Sequence, residues 1–161
     1  MNATEKKKLL IIGWTSALIV ILDQLIKFFV VRNMQLHQSI QLIPKLLSLA
    51  YVQNTGAGFG LCPDSTKLLI WFSIIVVGLI LFLYDKIPDN RCFQLSVAAI
   101  LGGTFGNLID RINLGFVVDF IDFGFWPAFN IADAAITIGA IFLLYNIIKK
   151  DIKEKKHKKK R

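Results

Sequence analysis

Histidine and cysteine are nearly missing from this chain of 161 residues, which has two of each. Cys62 and Cys92 make no disulfide framework and have no metal-ligand spacing. Neither His37 nor His157 has a Cys or His companion, which argues against a zinc site. Acidic residues are scarce too: 11 Asp and Glu stand against 19 Lys and Arg, for a net charge of +8. Only 19% of residues are charged, and 55% are hydrophobic. A soluble domain of this length is expected to be about 45–50% apolar. The excess lies in uncharged blocks long enough to cross a bilayer, which takes roughly 20 apolar residues per helix. The composition is that of a membrane protein.

Four spans are expected, over 9–31, 68–84, 93–109 and 131–148, with a basic tail over 149–161. The whole chain reads as one integral membrane domain. Lysines set its direction. Lys6, Lys7 and Lys8 precede the first span, Lys86 and Arg91 lie between the second and third, and KKDIKEKKHKKKR follows the fourth. Together they hold most of the cations, and the positive-inside rule makes their side cytoplasmic. Both termini then face inward, while 33–67 and 110–130 face outward. Cys62 and Cys92 fall on opposite sides in this topology. The first segment differs from a cleaved signal peptide: its apolar run is too long and ends in DQLIK rather than small residues. Without a folded platform around it, the lysine-rich tail reads as a solvated end touching anionic lipid, not as a nucleic-acid site.

The outer loop 33–67 is too long for a mere connector. In SIQLIPKLLSLAYVQ, Leu47, Leu49 and Tyr51 alternate with Ser48 and Ala50, which predicts one or two strands. NTGAGFG follows, with glycines suited to a sharp turn or close backbone approach. A small extracytoplasmic platform of strands is expected on an otherwise all-α polytopic fold.

Polar residues recur at one depth. Asp23 and Lys27, spaced i, i+4 in the outer part of the first span, can pair; the bland reading is an ion pair with Lys27 snorkelling outward. Gly102 and Gly106 form a small-xxx-small pair that admits a neighbouring helix closely, and Asn107, Asp110 and Arg111 follow. Asn130 is a good N-cap for the fourth span, with Asp133 completing a capping-box-like pair. The stretch VVDFIDFGFWPAFNIADAAI holds Asp119, Asp122 and Asp133 with no Lys, Arg or His to pair with them. Ionisable groups gathered at one membrane level mark a functional site by default. Without a His among these groups, a Cys pair or a Ser–Lys signature, the available chemistry is that of carboxylates. Two close carboxylates cannot both ionise readily, so one serves as base and the other as acid. Acids free of adjacent cations suit that need.

The set DQLIK (Asp23–Lys27), NTGAGFG (Asn54–Gly60), GNLIDR (Gly106–Arg111), VVDF (Val117–Phe120) and FNIAD (Phe129–Asp133) resembles the lipoprotein signal peptidases, or type II signal peptidases. The resemblance runs from the first span into the fourth, with all five motifs in order. It implies four transmembrane helices with a small β-cradle on the outer side. It also implies an aspartic endopeptidase of the bacterial plasma membrane that cuts a prolipoprotein just before its diacylglyceryl-modified cysteine. On that resemblance the catalytic pair is Asp119 and Asp133. Asp23, Lys27, Asn54, Gly56, Asn107, Arg111 and Asn130 shape the site or hold substrate, and Asp122 is read as a bystander. No metal, cofactor or nucleic-acid partner is expected, and the chain is expected to act as a monomer among membrane lipids. The main alternative is a small proton-coupled transporter, which would place polar groups on both halves of a path across the membrane; the cytoplasmic halves here are apolar. A Mg²⁺-dependent headgroup transferase and a structural scaffold are further alternatives.

Overall fold

The structure, a computed structural model, describes residues 2–56 and 65–158. Cys62, Gly58 and Gly60 of the expected glycine turn, and the last three residues of the tail lie outside the described residues. The order of elements is α1 (Ala3–Asn33), β1 (Ser39–Ile43), β2 (Leu47–Asn54), α2 (Thr66–Phe82), a one-turn 3₁₀ helix (Tyr84–Lys86), α3 (Arg91–Asn113), β3 (Val117–Asp122) and α4 (Ile131–Lys158).

Among the described residues, three helices are long and apolar enough to cross a membrane: α1, α3 and the Ile131–Lys153 portion of α4. The expected second span corresponds to α2, which is apolar but has 17 residues and falls short of that length. The basic tail is not a separate irregular end. It continues α4 as helix through Lys158.

α3 is the centre, and the other three helices all pack on it. Small residues make this possible. A Cβ on Gly102 would stand 2.8 Å from the Ser16 carbonyl oxygen of α1, and one on Gly106 would stand 2.8 Å from Asp23 Oδ2. The small-xxx-small pair is therefore a packing device, as expected. Gly106→Ala should drive Asp23 out of place and lower stability by about 1–3 kcal/mol. A thermal midpoint equal to that of the unsubstituted protein would contradict this. Away from α3 the helices show exposed apolar side chains, among them Trp14 (73% exposed) on α1 and Phe82 (80%) on α2.

Cross-contacts define two ends. At one, Lys8 on α1 donates to the Tyr84 and Ile87 carbonyls beyond α2 and lies 4.5 Å over the Tyr84 ring. Asn146 of α4 reaches Cys92 at the start of α3 there. At the other end sits a three-stranded antiparallel sheet, ordered β1-β2-β3. Strands β1 and β2 follow from the alternation in 39–54, but β3 lies in a region read as loop. Its sequence, VVDFID, has the β-branched and aromatic residues that suit a pleated surface. The expected alternation along β2 is broken at Ala50 and Tyr51, both buried, where the register to β3 shifts between Leu49 and Val52. Val30, Met34, Tyr51, Val118 and Phe120 form one buried cluster that fastens the sheet to the C-terminal part of α1.

Candidate active site

The loop after β3 folds back on it. The Phe129 carbonyl accepts from the N–H groups of Phe120 and Ile121, and the Phe129 N–H donates to the Ile121 carbonyl. The Phe129 ring stacks on Phe123 at 5.9 Å. This return delivers Asn130 and the start of α4 beside Asp119. Strand pairing does the same for Asn54: Val52 lies opposite Asp119 and Asn54 opposite Val117.

Asp119 is 1% exposed. Asn54 Nδ2 donates to its Oδ2 at 2.9 Å, and Asn130 Nδ2 to its Oδ1 at 2.7 Å. Asp133 accepts Asn107 Nδ2 at 2.7 Å on Oδ1 and the Asn130 backbone N–H at 3.3 Å on Oδ2. Asn130 Oδ1 in turn accepts the Asp133 N–H at 2.8 Å, so the capping box expected of FNIAD is present. Asn130 thus touches both acids.

The orientation of each amide is fixed by a group that only donates. Asn54 Oδ1 takes the Gly56 N–H at 3.0 Å. Asn107 Oδ1 takes Lys27 Nζ at 3.1 Å and Asn130 Nδ2 at 3.1 Å. Asn130 Oδ1 takes a backbone N–H, as above. All three asparagines must therefore turn their NH₂ toward the carboxylates.

Burial, first of all, and then the charge of nearby Asp133 push the Asp119 carboxyl up to about 7. The Asn54 and Asn130 hydrogen bonds and the charge of Lys27 pull the other way. The Asp119 carboxyl is therefore held protonated to a higher pH than an ordinary carboxylate.

Asp23 and Lys27 form the expected i, i+4 pair, at 2.7 Å. Lys27 does not snorkel: it is 3% exposed and also bonds Asp110 at 2.9 Å. Asp23 Oδ1 accepts the Ala132 N–H at 3.0 Å, tying α1 to the first turn of α4. The expectation of acids without cations nearby needs correction. It holds for the stretch 117–136 alone, because the cations arrive from α1 and α3. Arg111 lines a cavity of about 370 Å³ with Asn54, Val117, Trp126 and Asp133. It also lines a second, of about 340 Å³, with Leu69, Phe72, Asn107 and Asp133. Its Nε is buried without a hydrogen-bond partner among the described residues.

Every expected site residue is therefore in this cluster or bonded to it. Asp122 is apart. Three positions from Asp119 on a strand, it belongs to the other face, and its Oδ1 caps the Gly124 N–H at 2.7 Å. Two participants went unassigned by sequence, Gln24 and Asp110. Gln24 Nε2 donates to Asp110 Oδ1 at 2.8 Å. Both sit inside quoted motifs, DQLIK and GNLIDR; the sequence counts Asp110 among the polar residues at this depth without giving it a role, and its spacing of one turn from Asn107 on the same helix places it with the site.

The family described as Signal peptidase (SPase) II matches residues 15–149. A lipoprotein signal peptidase of Halothermothrix orenii is 42% identical over 127 residues, covering 79% of this chain and 88% of that one. The lipoprotein signal peptidase of Syntrophus aciditrophicus is 40% identical over 160 residues, covering 93% and 99%. A solved bacterial membrane enzyme has a TM-score of 0.83 at 30% identity, over 87% of this chain and 88% of that one.

Proposed function

The chain belongs to the signal peptidase II family, aspartic proteases that remove the signal peptide from prolipoproteins, and we propose that Asp119 and Asp133 are its catalytic pair. The observation that carries this is the convergence of the two acids on Asn130, with every surrounding amide donating toward them. The transporter alternative has no support from the relatives, all of which are peptidases among those compared.

The chemistry follows from the pair. One carboxylate takes a proton from water as the water oxygen bonds to the scissile carbonyl carbon. The other carboxyl gives its proton to the amide nitrogen as the C–N bond breaks. The tetrahedral centre collapses to a carboxylic acid, and the pair keeps one proton with the roles exchanged. Asp133 meets substrate in the cavities it lines, and Arg111, with its unpartnered Nε, holds a carbonyl of the bound segment.

The further expectations form part of this reading. α2 is the fourth span: 17 helical residues reach about 26 Å, near the lower limit for crossing. α2 and α4 flank α3, and the signal helix lies along the second Arg111 cavity between Leu69, Phe72 and Ile136. Both termini are cytoplasmic, the sheet and the acids are at the outer face of a bacterial inner membrane, and the cut falls before a diacylglyceryl-modified cysteine. The enzyme works as a monomer among lipids, without metal, cofactor or nucleic acid.

Purified enzyme in detergent should cleave a lipidated precursor peptide with EDTA present, and cleave its unlipidated form far less. Loss of activity in EDTA would remove the two-carboxylate mechanism. Because Asp119 titrates at about 7, the rate should fall as pH rises through that value, when the pair loses its shared proton. The apparent constant belongs to the pair rather than to either residue. A rate that climbs steadily from about pH 6 to about pH 9 would contradict the assignment.

A further inference from the structure

We infer that Asp110 is a positioning residue for both aspartates at once, a role that rests on the catalytic reading above. Asp110 is 3% exposed. Its Oδ2 accepts the Val118 N–H at 3.1 Å, which fixes the backbone of the residue immediately before Asp119. The same oxygen bonds Lys27 Nζ at 2.9 Å, while Gln24 holds Oδ1 at 2.8 Å. Lys27 places its three donors on Asp23, Asp110 and Asn107, and the last of these contacts dictates which way Asn107 faces Asp133. One carboxylate therefore reaches Asp119 through the strand and Asp133 through an ammonium and an amide.

Asp110 is not among the residues lining the two cavities that Asp133 lines. It borders a different one, of about 430 Å³, between α1 and α3 with Phe28, Val31 and Ile109. Its influence is thus on geometry and charge rather than on substrate contact. The charged groups around Asp119 are Asp133 from α4, Lys27 from α1 and Arg111 from α3, with Asp23 and Asp110 flanking Lys27. Removing the negative charge of Asp110 leaves the Lys27 cation less compensated. That cation then favours the ionised form of the dyad more strongly.

Asp110→Asn is the direct test. The amide oxygen can still accept the Val118 N–H, and Lys27 keeps Asp23, so a neutral buried pair remains and the variant should fold. The expected result is a kcat lower by about 10-fold or more with KM nearly unchanged. The alkaline limb of the pH profile should move to lower pH by roughly 0.5–1 unit. A role confined to folding would reduce the amount of active enzyme and leave the limb where it was, and a folded variant with an unmoved limb overturns the proposal. Should the single variant fail to accumulate, Lys27→Met/Asp110→Asn removes the cation together with its partner. Its limb should then move above that of the unsubstituted enzyme, and a limb at or below that position overturns the proposal too. Asp119→Asn measured alongside separates this from the catalytic assignment: if that variant still cleaves, the dyad reading fails first.

Discussion

Asp119→Asn and Asp133→Asn should each lower cleavage of a lipidated precursor by roughly 10³-fold or more while the protein stays folded. Each substitution keeps the size of the side chain and removes its ability to carry the shared proton. The supporting bonds show why the fold should survive. In the Asp133 variant the side-chain oxygen can still accept one of the two donors, and its backbone N–H still caps on Asn130. In the Asp119 variant the oxygen can still accept Asn130 or Asn54.

Stability gives an independent check on Asp119. Its carboxyl titrates at about 7 in the fold against 3.8 in the unfolded chain. The neutral acid is thus favoured in the fold, and the stability this confers is complete below the unfolded value. It is lost progressively as pH rises to about 7. Asparagine carries no such dependence. The difference in thermal midpoint between Asp119→Asn and the unsubstituted protein should therefore shift in the variant's favour from about pH 5 to about pH 8. A difference that does not vary with pH would show that Asp119 is not a buried acid of raised pKa.

Lys27→Met should have the largest effect on the fold itself. It leaves Asp23, fully buried, and Asp110, 3% exposed, without their common cation. Removing one partner from a buried ion group costs about 3–5 kcal/mol, against a typical total of about 5–15 kcal/mol. Little folded protein is expected in the membrane fraction. Adding Asp110→Asn takes away one of the stranded charges and should recover part of the yield. The remaining Asp23 still accepts the Ala132 N–H. Equal yields from the single variant and the unsubstituted protein would mean that the ion cluster contributes nothing to folding.

Much of this site could be read locally. DQLIK announces its own ion pair because i and i+4 share a helix face, and FNIAD announces a capping box because Asn and Asp stand three apart at a helix start. The spans were legible from composition, except that α2 ends at Phe82 and is short. What could not be read is what the sheet supplies. VVDFID looked like loop because its partner strand lies some sixty residues earlier, and only the β2–β3 register sets Asn54 against Asp119. The cations were misjudged for the same reason. Lys27 is distant in sequence from Asp119 and Asp133 and comes near them through the packing of α1 on the small residues of α3, while Arg111 lies at the end of α3 itself, outside the stretch that holds the acids. Asp110 was seen but placed in a loop, whereas α3 runs on to Asn113 and carries it inward.

On the catalytic reading proposed above, the fixed orientation of the asparagines limits where the proton of the pair can travel. Asn54, Asn107 and Asn130 all present N–H to the acids, and the amide oxygens that could receive a proton's hydrogen bond are already engaged by Gly56, Lys27 and Asp133. Arg111, also on the cavity wall, has no lone pair to offer at neutral pH. Among these side chains, the two carboxylates are insulated by a shell that can donate and not accept. A proton on the proposed pair therefore finds no acceptor among these amides and the guanidinium; the partner carboxylate, water, the substrate and the Thr137 hydroxyl on the cavity wall are the destinations left to it.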